Sequence, residues 1–483
     1  MQILNALKPD TPAKRQKYTS CFASALLFIA CVFMLSLVFI FRSPDSMLPG
    51  REPYFLARAA SDIGIYDELS FGGRFASYPM GTPLVLHLIP QELATLAPLI
   101  LGILSFVLFA LLLKDLGIKH ARIALMALIT SPAFIYMFGT LGTAAFAMFL
   151  SLLGFWIFSR KSAARMLAVP VFAVLPLFDP AMALITILLL FFYAFFAKKE
   201  RKKLFIASLL CSLASASLYY GFVIKNAGFA RPLFDSLAGG INPALQSLIS
   251  DLGAASGIGV FALLLAVFGV IAIWDDKYRN LFAFFSLALL VLLSLFIPKA
   301  VLFLNLFVCV FAAYGVMYIY NARWESRLFQ RFVLLILVCG ILFSAVSFAG
   351  RFVASEPGAA VISAVSSLGS MPEGTVFSHY TRGFWINYAG HKNVMDENMW
   401  FVKDVNERWK DSQELFYTRD LPTALKLLEK YNVTYIWIDS GMKSMLWKDD
   451  EEGLLFLLKY NRDFKDSKVY DEDGVEIWKV KSD

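Results

Sequence analysis

Apolar residues come in long unbroken runs through the first 350 positions, with short polar clusters between them. The runs fall at about 20–41, 92–113, 122–138, 143–159, 166–178, 181–197, 204–224, 257–274, 280–297, 300–320 and 328–349. Most approach the ~20 apolar residues a helix needs to cross a bilayer. This pattern predicts about eleven transmembrane helices. Two longer polar stretches interrupt it, at 42–91 and 225–256. The second is rich in Gly, Ala and Ser, as in Ala238-Gly239-Gly240, and reads as a re-entrant or lid segment.

After residue 350 the period changes. A helix is predicted over 357–369, then a turn at Met371-Pro372-Glu373-Gly374 and a strand at 375–378. Asp420-Leu421-Pro422 opens another helix. Thr434-Tyr435-Ile436-Trp437-Ile438 has the β-branched and aromatic content of a buried strand. One helix is expected over 443–460. Two short strands flanking Asp473-Gly474 carry a hairpin signal. Residues 350–483 are thus expected to form a small α/β domain.

Composition and charge sharpen this picture. The chain is 58% hydrophobic with mean hydropathy +0.64, above the apolar share of soluble domains. Its net charge of +7 does not mark a nucleic-acid binder, because the positive residues follow topology. Alternate loops hold 20 Lys and Arg, from Lys8 to Arg331, while the opposite loops before residue 350 hold seven. By the positive-inside rule the N-terminus (1–19) is cytoplasmic, and the C-terminal domain lies outside a plasma membrane. The run at 20–41 is too long for a signal-peptide core and reads as a retained helix. The five cysteines all sit in apolar stretches, so no disulfide framework is expected.

Candidate chemistry lies on the outer loops. Proline behind Glu52 makes it a helix-start residue, whose carboxylate points off the helix end as a cap, a general base or a metal ligand. Asp62, Asp67 and Glu68 read as a solvated face. Asp179, before Pro180, either starts the next helix or adds a second acid above a cleft. The four histidines show no metal-ligand spacing, and surface roles are expected for His379 and His391. No phosphate-cradling loop or nucleophile elbow occurs.

Three segments resemble the GT-C superfamily, in particular the catalytic subunit of oligosaccharyltransferase and its archaeal relatives. Glu52-Pro53-Tyr54-Phe55 with Arg58 is similar to that family's Asp-Pro-Tyr-Tyr/Phe…Arg. Tyr78-Pro79-Met80-Gly81 is similar to its Tyr-Pro-Pro-Gly. Residues 383–398 resemble the stretch after its Trp-Trp-Asp-Tyr-Gly. The resemblance implies a polytopic helical enzyme that moves a sugar, with inversion, from a polyprenyl-phosphate-linked donor to an acceptor outside the membrane. It implies membrane lipids as surroundings, and Glu52 as the acid that meets the acceptor and as a ligand to any divalent metal (Mg or Mn); Asp179 stands beside it as the second candidate catalytic acid, from its place at the membrane edge. Arg58, Arg74 or Arg231 would clamp the lipid phosphate, and Tyr78, Arg382 and His391 would contact substrate. This chain departs from the pattern in three ways. Its first acid is Glu. Its 138–143 stretch, where the family carries a second acidic metal site, has no acid. The Trp-Trp-Asp-Tyr-Gly motif reads His379-Tyr380-Thr381-Arg382-Gly383. Transfer of a single sugar, with or without metal, fits these departures better than transfer of an oligosaccharide to a sequon. The alternative is a non-catalytic lipid-linked-sugar binder, flippase or scaffold.

Overall fold

The computed structural model describes residues 12–42, 49–196, 199–228, 248–355, 357–399, 401–461, 464 and 467–480. Every one of the eleven apolar runs is helical. Five helices are long and apolar enough to cross a membrane: Ala23–Phe41, Ala97–Asp115, Glu200–Ala227, Ala300–Asn321 and Arg327–Val353. The pair Ala121–Ile129 and Pro132–Gly139 passes the same test together, bent by 59°. Pro132 explains the bend, since it has no N–H to continue the first helix. The remaining apolar helices, such as Thr143–Ser159 and Pro180–Phe195, are shorter than a bilayer is thick.

Many large apolar side chains on these helices face outward, among them Leu218 at 78% exposure, Phe343 at 75% and Phe332 at 60%. Such a surface requires lipid around it. The chain is a multi-pass membrane protein. Inside the bundle, small residues bring backbones together. A Cβ on Gly269 would lie 1.8 Å from the Phe311 carbonyl, and one on Gly315 would lie 1.9 Å from that of Leu265. Val260–Ile273 and Ala300–Asn321 therefore cross at a contact only glycine permits.

The C-terminal domain has its own core, around Trp385, Trp437, Phe377 and Ile477. Its strands are β3 (Thr375–Phe377), β4 (Lys392–Asn393), β5 (Val433–Asp439), β6 (Lys468–Glu472) and β7 (Val475–Lys479). A mixed sheet forms in the order β4-β3-β5-β7-β6, with β3 parallel to both β4 and β5, and β7 antiparallel to its two neighbours. The Asp473-Gly474 turn has positive φ at both residues, as a two-residue hairpin demands. The single helix expected over 443–460 is two, Ser440–Leu446 and Gly453–Tyr460. The first ends where Trp447 turns extended (φ −129°, ψ 147°), and the second begins at Gly453.

The segment between the first two long helices does not form a plain interfacial helix. It folds as a helix, Glu52–Ser61, a small hairpin of β1 (Tyr66–Asp67) and β2 (Arg74–Phe75), and a second helix, Gly81–His87. The hairpin tip enters the C-terminal domain. Phe71 is buried in that domain's core, although its φ of +55° is a strained one for a phenylalanine. Its N–H donates to Asn393 Oδ1 at 2.7 Å. Next to it, Arg74 pairs with Asp396 at 3.1 Å, both side chains buried.

Candidate functional site

Glu52 opens its helix, with Arg51 at the cap position and Pro53 behind it. Tyr54 and Phe55 hold this helix against the C-terminal domain, at ring distances of 5.1 Å to Tyr388 and 4.7 Å to Phe384. The carboxylate of Glu52 then points at another helix. The N–H of Thr143 donates to Glu52 Oε1 at 2.9 Å, and the Thr143 hydroxyl lies 2.9 Å from the same oxygen. Thr143–Ser159 is preceded at its cap position by Gly142, which has no side chain to cap with. Glu52 supplies the missing cap from a distance in sequence, at the positive end of the helix dipole.

Asp179 starts the next helix, the first of its two sequence expectations. It is the cap of Pro180–Phe195, where its Oδ1 accepts the Met182 N–H at 3.0 Å. Its other oxygen, Oδ2, lies 3.2 Å from the Thr143 hydroxyl and accepts a hydrogen bond from Lys299. The carboxylate is almost fully buried. One hydroxyl thus bridges two acids that stand far apart in sequence, and the Lys299 ammonium closes the chain of contacts.

Glu52 faces a cleft of about 620 Å³. Arg51, Tyr136, Thr140, Arg351 and Glu397 also line it, with Gly253 and Ala254 on one wall. Arg51 forms an ion pair with Glu397 across the junction with the C-terminal domain. Burial raises the Glu397 carboxyl above its ordinary range, against the pull of Arg51. Arg351 donates to the Ser250 carbonyl at 2.9 Å.

The other residues singled out in the sequence have different surroundings. Arg58 makes two hydrogen bonds to Asp67, at 2.8 and 2.7 Å. Asp67 is buried rather than on a solvated face. Burial alone would raise its carboxyl, but Arg58, with Arg74 beyond it, holds it down to about 2. Arg58 and Arg74 are both committed to internal ion pairs. Tyr78 is buried against Phe55 at 4.6 Å, and its carbonyl accepts the Tyr219 hydroxyl at 2.7 Å. Arg382 binds Asp439 through two nitrogens, at 2.7 and 2.9 Å, inside the C-terminal core. Burial would raise the Asp439 carboxyl, yet Arg382 keeps it below the usual range.

His391 and His379 are not on the surface. His391 is buried with Nε2 2.8 Å from the Leu368 carbonyl, and His379 has Nδ1 2.8 Å from the Thr381 hydroxyl. Burial, helped by Arg382 and Arg51, lowers the His379 imidazole to about 4. Arg231 and the Ala238-Gly239-Gly240 stretch lie outside the described residues. The structure therefore brings Glu52 and Asp179 together and seats Arg58, Arg74, Tyr78, Arg382 and His391 in the packing that supports them. Lys299, Thr143, Arg351 and Glu397 were not found from the sequence. Lys299 had a signal: a charge between two apolar runs, behind Pro298, at a membrane edge.

A divalent metal does not fit these residues. Among the described residues no three His, Cys, Asp or Glu side chains gather to hold one. Glu52 and Asp179 are two acids, and one already carries an ammonium group. Magnesium demands near-octahedral oxygen ligation, which Lys299 would obstruct and its charge would oppose. The 138–143 stretch offers Glu52 only the Thr143 N–H and hydroxyl, not a second acid.

Gly142 is packed against this carboxylate. A Cβ there would lie 2.8 Å from Glu52 Oε2, and the backbone at φ −144° accepts any residue. Gly142→Ala is therefore expected to fold normally, within about 1 kcal/mol of the parent in a thermal melt. The flexible end of Glu52 will move instead. A displacement of an ångström costs on the order of 100-fold in rate at a catalytic group, which an assay of Gly142→Ala checks directly.

No family model matches the chain, and no curated protein matches it either. Solved structures do. The oligosaccharyltransferase AglB of Archaeoglobus fulgidus, tethered to an acceptor peptide with an NVT sequon, aligns over 87% of this chain and 69% of its own, with a TM-score of 0.60 and 14% identity. The same protein with an inhibitory peptide and dolichol-phosphate aligns over 92% and 72%, at TM-score 0.59 and 14% identity. The mycobacterial arabinofuranosyltransferase AftD aligns over 95% of this chain and 40% of its own, at TM-score 0.55 and 13% identity. Both are membrane glycosyltransferases of GT-C type, and this chain is structurally similar to them at low sequence identity.

Proposed function

We propose that the protein is a membrane glycosyltransferase that moves a sugar from a polyprenyl-phosphate-linked donor to an acceptor at the outer face of the plasma membrane. Its topology is eleven spans, with the N-terminus inside and the C-terminal domain outside. The observation that carries this reading is the Glu52–Thr143–Asp179 constellation at a cleft between the helical bundle and the mixed-sheet domain. The fold shared with AglB and AftD supports it.

Glu52 is the acid that meets the acceptor. Its Oε1 is occupied by Thr143, which leaves Oε2 to take a proton. As the acceptor hydroxyl loses its proton to Glu52, its oxygen forms a bond to the anomeric carbon. The bond from that carbon to the lipid phosphate oxygen breaks, and the electron pair leaves with the phosphate. Attack from the face opposite the phosphate inverts the centre. Asp179 orients Thr143, and through it Glu52. Arg351, on the cleft wall, is placed to meet phosphate oxygens with a planar fork.

The test uses the purified full chain in detergent with radiolabelled polyprenyl-phosphate sugars. Release of free polyprenyl phosphate is expected. Binding of the donor with no release under any acceptor would mark a carrier or scaffold instead.

A further inference from the structure

We propose that Lys299 is the permanent cation of this site, standing in the place a divalent metal would take and holding the donor's phosphate without one. The proposal rests on the transferase reading for its ligand, but the charge arrangement stands by itself. Asp179 is buried between two helices, where a lone carboxylate is costly and a counter-ion is required. Lys299, at the start of Ala300–Asn321, supplies it from a third helix.

The pair is asymmetric. The Asp179 side chain is 2% exposed, while that of Lys299 is 43% exposed. The ammonium therefore lies at the edge of the buried acid, with Asp179 its one hydrogen-bond partner among the described residues. An ammonium has three N–H donors, so two remain for an incoming ligand. Lys299 lies within electrostatic range of Glu52 and Tyr136, and both of these line the cleft. A metal would approach the same Asp179 oxygen that Lys299 occupies. Both cannot be there.

A fixed ammonium differs from a metal in what it recognises. It offers one positive charge and hydrogen bonds to phosphate oxygens, with no Lewis-acid contact. It needs no ion from outside, and it prefers a phosphate with few charges. A polyprenyl monophosphate linked to one sugar fits this better than a pyrophosphate.

The first experiment uses Mn²⁺ alone, followed by electron paramagnetic resonance and equilibrium dialysis on the purified full chain. The wild type is expected to show no saturable site below millimolar Mn²⁺. Lys299→Met, which frees Asp179, is expected to bind Mn²⁺ at least about tenfold more tightly, and Glu52→Gln in that background to lose the gain. Micromolar stoichiometric binding by the wild type, abolished by Asp179→Asn, would overturn the proposal. So would a Lys299→Met protein that gains nothing.

The second experiment measures binding of farnesyl phosphate. Lys299→Met is expected to weaken it about tenfold and Lys299→Arg to retain it. Where Lys299→Met alone does not fold, the double variant with Asp179→Asn removes both charges and must show the same loss. Unchanged phosphate binding in it refutes the role of Lys299. Neither readout needs sugar transfer. An inert protein with these results would sink the transferase reading and leave this one standing.

Discussion

Glu52→Gln is expected to abolish sugar transfer, lowering the rate by a factor of about 100 to 10,000, while the folded protein persists. The amide keeps the size of the carboxylate, and its oxygen still accepts the Thr143 N–H that the Glu52 oxygen accepts at 2.9 Å. The Thr143–Ser159 helix thus keeps its cap. What the amide loses is the ability to take a proton. Release of polyprenyl phosphate measures the outcome, and the thermal midpoint should move little. Full activity in this variant would end the role assigned to Glu52.

The second large effect concerns stability. Asp439→Ala is expected to destabilise the C-terminal domain by about 3–5 kcal/mol. Asp439 accepts two nitrogens of Arg382, the Trp437 indole N–H at 3.2 Å and the Met442 N–H at 2.9 Å. Its loss removes the acid that holds a buried guanidinium by two hydrogen bonds, and with it the cap of Ser440–Leu446. Chemical denaturation followed by tryptophan fluorescence reads the change. A loss under about 1 kcal/mol would show that the buried pair adds little.

The helical bundle was legible because hydrophobic length is a one-dimensional signal: each apolar run is helical, though 122–138 is broken before Pro132 and, among the described residues, only five helices are long and apolar enough to cross a membrane. The β6–β7 hairpin was legible for a similar reason, since Asp473-Gly474 states its own turn. The split between Leu446 and Gly453 was not visible, because Leu454 to Leu458 continue an apolar pattern on both readings. The two-residue strand β4 was missed because it is too short to show a period.

In the site, proline neighbours exposed Glu52 and Asp179 to sequence reading. The bridging Thr143 and the counter-charge Lys299 carry no motif of their own. They matter only because distant helices bring them together, and a linear pattern does not encode that. The arginines show the converse. Arg58, Arg74 and Arg382 suit phosphate by type, but each meets an acid across a turn or a domain junction, and the fold uses them there.

The hairpin tip that seats Phe71 and Arg74 in the C-terminal domain has a consequence for biogenesis. Each finds its partner, Asn393 or Asp396, 322 residues later in the chain. A ribosome finishes the whole helical bundle before those partners exist. Until then the arginine that ends buried lacks its ion-pair partner Asp396, and the phenylalanine has no core to enter. The helix that carries Glu52 is held by other late-arriving residues, Phe384 and Tyr388. The surroundings of Glu52 are therefore completed only once the chain has passed residue 396, long after its own helix has been made.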